Sequence, residues 1–405
     1  MTGRSLAVLL TSAGCIAAAC DTRDAPLPPP APGFTVVESS GPKWPEGEGW
    51  HLDTAALLLI GRDGRREESR FYQVRNVWTT SDGGIVVING GGPPAIRLFS
   101  DAGDFVNGFG GQGEGPGEFA SLLNAWRAGP DTIVAFDTRL LRVTWFTQAG
   151  EIVRETSLPG LLADGLVVRD RFDDGSWLLV ANIPADESRD DGVVTLRVVA
   201  RAAADASRTD TIAAFEEGTR VRYGREFELP AFMPGVGTYA AIGDRLYAGY
   251  PDEFQIDVLT TDGKPIHRIR RTGAQQRLSE AVFERLAEAQ IENAPEQSRP
   301  AARRQILDKP RPEVLPAFTR NILEDAEGNL WVQNFSSPGA RMTGWSVFDS
   351  GGAYLGDVPV PAAFTPYEIA SGKMLGIWKD SLDVETIRAY RLIKGLNAAP
   401  DATSE

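Results

Sequence analysis

Six short turns of the hairpin type, each flanked by apolar β segments, recur along the 405-residue chain and constrain its fold more than any other feature. Asp-Gly and Gly-Asn pairs between alternating hydrophobic residues are strong short-range signals of a β-hairpin. The turns begin at Asp82, Pro130, Asp174, Gly243, Glu327 and Ser371. Three of the intervals between turns are about 45 residues long, a period that is typical of a repeated four-stranded unit. The two intervals on either side of Gly243 are longer.

Each unit carries further β runs at matching places. In the first unit the runs after the turn are Ile85–Ile88 and Arg97–Phe99, and in the second they are Ile133–Phe136 and Val143–Phe146. Four antiparallel strands repeated at this period indicate a β-propeller. The sequence therefore predicts an all-β fold, a six-bladed β-propeller with four-stranded antiparallel blades.

The last unit has no room for a fourth strand before the polar tail at 396–405. A spare β segment lies near the other end, from Trp50 to Ile60. Pairing this N-terminal strand with the last unit would close the ring and remove an exposed edge. We predict that the propeller occupies residues 34–395 and is closed in this way.

The two long intervals predict insertions, at about 202–237 and at 273–312. The second, which falls between blades 4 and 5, is helical in character. Ser279 can cap a helix, and Val282, Phe283, Leu286, Ala287 and Ile291 follow helical spacing. We expect this helix to pack on a propeller face and to gate or extend a ligand site.

The first twenty residues have the features of an export signal. One basic residue, Arg4, precedes an apolar run from Leu6 to Ala19, which is too short to span a membrane. The small residues before Cys20 resemble the cleavage motif of bacterial lipoproteins, which implies lipidation of Cys20. A weaker motif ends at Cys15, and an ordinary secretory signal cut near Ala19 is the alternative. We predict a lipoprotein-type signal peptide at 1–20.

Residues 21–33 are rich in proline and predict an extended tether. The expected location is that of an exported bacterial lipoprotein, attached to a cell-envelope membrane through its lipid anchor alone. The net charge of −14 argues against nucleic acid as a partner. Both cysteines lie in the signal, so we expect neither a disulfide nor a thiolate metal site in the propeller. We expect a monomer.

Two motifs in the second unit invite a functional interpretation. Gly108 to Gly113 match the G-x-G-x-x-G pattern, but Glu-Gly-Pro-Gly-Glu follows, which cannot open the helix that a dinucleotide site needs. This stretch instead predicts a tight crossing between two sheets. Asp137 and Arg142 bracket a turn between strands, and we interpret them as structural.

Together these motifs resemble NHL-type six-bladed propellers. The likeness rests on the glycine-rich stretch Gly110–Phe119, on Asp137 with Arg142, Val143 and Phe146, and on Gly328–Val332, Gly-Asn-Leu-Trp-Val. It implies the fold over nearly all of residues 34–395. It does not imply one function, because such propellers include binding scaffolds, lyases and lactonases.

Polar residues on the innermost strands, the first of each blade, face the channel or its rim and form the candidate ligand site. These are Arg75, Asn76, Asn124, Arg127, Arg320, Asn321 and Tyr367. Arginines on an otherwise acidic protein could hold an anion. The two histidines, His51 and His267, fall on outer strands, so we predict no catalytic residue, no metal site and no cofactor, and leave a divalent cation in the channel open.

Two functions compete. The favoured one is a non-catalytic binding or scaffold protein, anchored in the envelope, that presents a propeller face to a protein, peptide or glycan. The alternative is a hydrolase or lyase, lactonase-like, which works in the central pocket. An enzyme needs converging acids, bases or metal ligands, and the predicted inner-strand set offers scattered arginines and asparagines.

Overall fold

The chain folds into a ring of six antiparallel sheets. The structure, a computed structural model, describes residues 35–61, 66–189, 192–223, 227–230, 238–307, 313–337 and 339–395. The predicted signal peptide, Cys15, Cys20, the tether and the polar tail lie outside these ranges. The predicted six blades of four antiparallel strands are confirmed.

The strands of the N-terminal half include those of blades 1 to 3. They are β1 Thr35–Ser39 and β2 His51–Ile60; in blade 1, β3 Val74–Thr79, β4 Ile85–Asn89, β5 Ile96–Phe99 and β6 Phe105–Phe109; in blade 2, β7 Leu122–Arg127, β8 Thr132–Asp137, β9 Arg142–Thr147 and β10 Ile152–Ser157; in blade 3, β11 Val167–Arg171, β12 Trp177–Arg189, β13 Gly192–Ala202, β14 Thr209–Tyr223 and β15 Phe227–Pro230.

The C-terminal half holds the other three blades and the helical insertion. Its elements are, in blade 4, β16 Thr238–Ile242, β17 Arg245–Tyr250, β18 Gln255–Thr260 and β19 Pro265–Arg271; in the insertion, β20 Gln276–Arg277, α1 Glu280–Glu292, α2 Arg299–Leu307 and β21 Val314–Leu315; in blade 5, β22 Phe318–Glu324, β23 Leu330–Asn334, β24 Met342–Phe348 and β25 Tyr354–Pro361; in blade 6, β26 Phe364–Ala370, β27 Lys373–Lys379 and β28 Glu385–Ile393. Short 3-10 helices lie at Glu67–Ser69, Pro159–Gly165, Pro251–Glu253 and Glu296–Ser298.

A buried apolar cluster fills each of the six interfaces between neighbouring sheets. On β4, Ile85 and Val87 face blade 6, whereas Val86 and Ile88 face blade 2. The strand is therefore buried on both faces, which explains why its sequence is a continuous apolar run rather than an alternation. The cores lie between the blades and hold the ring together.

The order of the strands defines two faces of the ring. In each antiparallel blade, the loop from the second to the third strand and the link to the next blade emerge at the same end, which we call the upper face. The hairpin turn between the first and second strands of each blade, such as Asp82–Gly83, emerges at the opposite end, the lower face, and so does the turn between the third and fourth strands of blades 1 to 5. First strands of successive blades contact one another around most of the axis, as predicted for innermost strands.

The predicted closure by the N-terminal strand is confirmed. β2 pairs antiparallel with β28 and becomes the fourth strand of blade 6. The sequence did not predict the partner of β1, which pairs parallel with β19 as a fifth strand of blade 4. Between them the chain crosses the outside of blade 5, where Lys43 and Trp44 donate backbone hydrogen bonds to Tyr354 and Leu355 at 3.1 and 2.9 Å.

The glycine-rich stretch is a crossing between blades 1 and 2, as predicted. Gly110 has a φ of 85°, and a Cβ there would lie 2.7 Å from the ring of Phe119. The Arg142 guanidinium donates to the carbonyls of Glu114 and Gly115 at 3.0 and 2.9 Å, and to that of Glu118. The chain then enters β7 rather than a helix, which agrees with the rejection of a dinucleotide site.

Asp137 secures the other side of the same crossing. Its buried carboxylate accepts hydrogen bonds from the backbone N–H groups of Ala120, Ser121, Arg139 and Leu140, at 2.7 to 2.9 Å. The predicted structural role of Asp137 and Arg142 thus agrees with the contacts, although the two side chains bind different loop segments.

The insertion between blades 4 and 5 contains the predicted helix. Ser279 caps α1 by accepting the Val282 N–H, and Phe283, Leu286, Ala287 and Ile291 form its buried face. That face packs with Ile306 of α2, Leu315 and Phe335. Phe335 follows β23 in the loop at the upper end of blade 5, so the insertion lies on the upper face.

The other predicted insertion, at about 202–237, differs from the expectation in kind. Its described residues include β14 and β15, which extend the sheet of blade 3 to five strands. Residues 224–226 and 231–237 of that interval lie outside the described part of the chain.

Candidate functional site

The structure places the predicted site residues on the innermost strands of four blades. Arg75 and Asn76 lie on β3, Asn124 and Arg127 on β7, Arg320 and Asn321 on β22, and Tyr367 on β26. The side chain of Arg320 is outside the described part of the structure. The remaining six do not converge on one point, and they fall into groups with different partners.

Asn76 and Asn124 occupy equivalent positions of blades 1 and 2. The Asn76 amide donates to the Ala125 carbonyl at 3.0 Å and accepts the Val77 N–H at 2.9 Å. Asn124 accepts the N–H of Ala125 at 2.9 Å. Two of the candidate side chains therefore make hydrogen bonds at the junction of blades 1 and 2.

Arg127 reaches across blade 1 to blade 6. Its guanidinium lies 2.9 Å from a carboxylate oxygen of Glu368 and also donates to the Thr79 carbonyl. The second oxygen of Glu368 accepts the Thr79 N–H at 2.8 Å. Glu368 was missed by sequence reasoning, although its place on an innermost strand next to Tyr367 was a usable signal.

Asp170, on the innermost strand of blade 3, is the second carboxylate that the sequence did not reveal. It accepts the Trp126 indole N–H at 2.8 Å and the Arg171 N–H at 2.9 Å. The Ala241 N–H of blade 4 is a further partner. Burial is the main cause that raises the pKa of Asp170 to about 6, and the hydrogen bonds oppose it. The carboxylate thereby connects blades 2, 3 and 4.

Asn321 and Tyr367 lie apart from these pairs. The Asn321 amide donates to the Gln333 side chain at 2.5 Å. Burial raises the pKa of Tyr367, the charge of Glu385 adds to this, and the charge of Arg75 opposes it. Arg75 and Tyr367 are thus close enough to interact electrostatically, near the junction of blades 6 and 1.

A cavity of about 300 Å³ opens on the upper face between blades 1 and 2, and we call it the rim cavity. Its walls are the loop Asn89–Pro93, the crossing segment at 110–112, the segment at 119–122, and Tyr72 with Gln73. Arg97, buried on β5, supports one wall by donating to the Pro94 carbonyl at 3.0 Å and to the Glu68 carbonyl at 2.9 Å. Sequence reasoning did not predict this cavity, because it is formed by loops from different blades.

A second cavity, of about 580 Å³, lies at the lower end of the same two blades. Hairpin turns line it, including Asp82, Asp101 and Gln148. Turn contacts already engage two of these side chains: Asp82 accepts the Thr80 hydroxyl at 2.5 Å, and Gln148 donates to the Pro130 carbonyl at 3.1 Å. The rim cavity differs because, among the described residues, the exposed side chains of Tyr72 and Gln112 on its wall show no turn contact of this kind.

Within the described ranges, no group of three or more His, Cys, Asp and Glu side chains is placed to hold a metal ion. His51 and His267 lie on β2 and β19, outside the innermost strands, as predicted. No described helix is both long and apolar enough to cross a membrane.

Solved structures share the architecture at low identity. A candidate exported protein of Bacteroides fragilis is 14% identical with a TM-score of 0.47, over 89% of this chain and 100% of that one. A member of the DUF4221 family from Bacteroides vulgatus is 11% identical with a TM-score of 0.49, over 86% and 99%. Regucalcin of Agrobacterium tumefaciens, a calcium-binding protein, is 10% identical with a TM-score of 0.38, over 84% and 96%.

No protein-family model matches the sequence, and no curated protein matches it. Likeness at this level of identity carries no function from those proteins to this chain. The site has to be interpreted from its own residues.

Proposed function

We propose that the chain is an exported lipoprotein of the NHL-type propeller kind, which binds a ligand on its upper face without transforming it. The rim cavity carries this proposal. Exposed Tyr72 and Gln73 line it, and exposed Arg75 lies next to the lining residue Gly90. Asn76, Asn124 and Arg127 instead make hydrogen bonds at blade junctions. Loops on a rigid scaffold are where binding residues concentrate, and the helical insertion stands on the same face.

The proposed export and lipid attachment rest on the sequence of the first twenty residues. An apolar run followed by small residues and Cys20 favours export, cleavage before Cys20 and lipid attachment to an envelope membrane. Mass spectrometry of the mature N-terminus tests this. We expect a lipidated Cys20, its loss in Cys20→Ala and its retention in Cys15→Ala; a terminus without lipid would remove the anchor.

Binding is tested by presenting the purified full-length protein to glycan and peptide arrays. We expect a ligand whose signal falls at least about tenfold in Tyr72→Ala, the scale of one lost aromatic contact. Val153→Ala, which truncates an exposed apolar side chain on the outer strand of blade 2, should leave the signal unchanged. A ligand signal indifferent to Tyr72 would contradict a binding site at the rim.

One observation favours the competing reading, a hydrolase or lyase. The raised pKa of Asp170 is of the kind that general acids and bases require near neutrality. The test is whether the protein cleaves lactones or esters. If it does, and if Asp170→Asn or Glu368→Gln abolishes turnover while Tyr72→Ala does not, the enzymatic function would be accepted in place of the binding function.

A further inference from the structure

Arg75 stands at the upper face without a carboxylate partner. Among the described residues its guanidinium hydrogen-bonds only to the neutral side chain of Gln73, at 3.3 Å, and it is exposed. Arg127, on the equivalent strand of the next blade, pairs with Glu368 at 2.9 Å. In a chain of net charge −14, an unpaired arginine beside a cavity is suited to a ligand carboxylate.

Tyr72 supplies a flat aromatic surface next to this charge. Its side chain is 62% exposed although it is large and partly apolar. It lies against the backbone of Gly91, where a Cβ would be 2.1 Å from the Tyr72 ring and 2.5 Å from its carbonyl oxygen. At Gly90 a Cβ would lie 2.8 Å from the Arg75 Nε. Gly91 therefore lets Tyr72 lie on the cavity wall, and Gly90 lets the Arg75 guanidinium approach the backbone of the same loop.

Gln73, between them, adopts a costly backbone conformation. Its φ is 55°, in the left-handed region that glycine occupies freely and that other residues enter at about 1 to 2 kcal/mol. Glycine at this position would relieve that strain. Such outliers concentrate at binding sites, and here the strained residue holds an exposed amide that contacts Arg75.

The rim cavity offers hydrogen-bonding groups beside apolar side chains such as Phe119 and Leu122. Glycine backbone at 90–92 and 110–111, the exposed amide of Gln112 and the hydroxyl of Ser121 surround it. Its volume of about 300 Å³ is at the low end for small-molecule sites. A ligand that fits therefore combines a carboxylate, several hydroxyl groups and a ring face that can lie on Tyr72.

We propose that Tyr72, Gln73 and Arg75, together with the rim cavity, bind an acidic saccharide, a sugar ring bearing a carboxylate. This inference rests on the proposed binding function and names its ligand class. Arg75 would hold the carboxylate, Tyr72 would contact the C–H face of the ring, and Gln73 and Gln112 would accept and donate hydrogen bonds to hydroxyl groups.

The test compares the full-length protein with two probes by isothermal titration calorimetry: a galacturonate trisaccharide and the matching neutral galactose trisaccharide. We expect the acidic probe to bind at least about tenfold tighter, the scale of one charge-assisted hydrogen bond. Arg75→Gln should abolish that preference. Arg208→Gln, which removes the same charge from an exposed turn of blade 3, should preserve it.

Gln73→Gly separates binding from folding. We expect the variant to keep or raise the melting temperature, because the backbone strain is relieved. Its affinity for the acidic probe should fall by about threefold to tenfold. Equal affinity for the two probes, or a preference that survives Arg75→Gln, would overturn the proposal. If neither sugar binds while a peptide binds in a Tyr72-dependent manner, the saccharide inference falls and the binding function stands.

Discussion

Burial raises the pKa of the Asp170 carboxyl to about 6. An ionised carboxylate at this buried junction is disfavoured, and only its hydrogen bonds to Trp126, Arg171 and Ala241 limit the cost. Because the folded pKa of about 6 exceeds the ordinary value of 3.8, the folded state holds this proton over a wider pH range than the unfolded chain. The contribution of Asp170 to stability is therefore greatest below about pH 4 and is lost as the pH rises to about 6.

Asp170→Asn should remove this dependence. We expect the free energy of unfolding of the variant, relative to the unsubstituted protein, to grow by up to about 3 kcal/mol between pH 4 and pH 7. Denaturant titrations at a series of pH values measure the difference. Trp126→Phe, which deletes one hydrogen-bond donor, should move the dependence to higher pH. A difference that is constant with pH would show that folding does not raise the pKa of Asp170.

The contrast between Asp137 and Asp170 shows which residues a sequence reveals. Asp137 bonds to backbone within the turn it opens and to the crossing just before its own strands. Its role is local, so the turn pattern predicted it. Two partners of Asp170, Trp126 and Ala241, lie on the neighbouring blades. Glu368 likewise bonds across blades to Thr79 and Arg127. Those contacts depend on the register between sheets, which a single sequence does not determine.

At the scale of elements, the helix of the insertion is the element that the sequence pattern predicted most fully. Its apolar spacing and its cap are properties of one continuous segment, and α1 begins after the predicted Ser279. The partner of β1 was not foreseen, since a parallel pair between residues far apart in sequence leaves no periodic signal. The long strands of blade 3 were interpreted as an insertion because their length exceeds the repeat.

The insertion should be separable from the ring. α1 buries its apolar face mainly against α2 and the adjoining Leu315, with Phe335 as a contact from blade 5. Replacing residues 281–311 by a short Gly/Ser linker should therefore lower the melting temperature by no more than about 3 °C, because little of the blade core is lost. Thermal melts followed by circular dichroism measure this.

The same deletion addresses the expectation that the insertion gates or extends the ligand face. It should weaken the binding of an array ligand, whereas Phe283→Ala, which loosens the helix without removing it, should have a smaller effect. Collapse of the ring on deletion would show that the helix is part of the core, and the gating role would be abandoned.

At the scale of the whole molecule, six interfaces of similar construction make the ring predictable from the period of the turns. The junction between the chain ends is the special one, because β2 completes blade 6. Ile60 is buried there in the cluster shared by blades 6 and 1. The ring centroids of Trp44 and Trp50 lie 4.8 Å apart, and both side chains pack against the apolar cluster between blades 5 and 6.

Removing the residues up to Ile60 should therefore destabilise the ring severely. We expect a melting temperature lower by at least about 5 °C, together with aggregation, because β28 becomes an uncovered edge. A chain that lacks only residues 1–33 serves as the control and should melt like the full-length protein. Equal melting of the two truncated chains would show that closure does not depend on the N-terminal strand.

The path of residues 35–60 has a consequence for the order in which the chain folds during synthesis. The first described strand of the chain belongs to blade 4, and the second has its partner only at Glu385–Ile393, so neither can pair until most of the polypeptide has been synthesised. Long-range pairing of this kind slows folding and leaves edges open in the meantime. In a chain that is interrupted before residue 385, β2 has no partner and the ring stays open. Such a chain remains accessible to proteases until the last strand has been made.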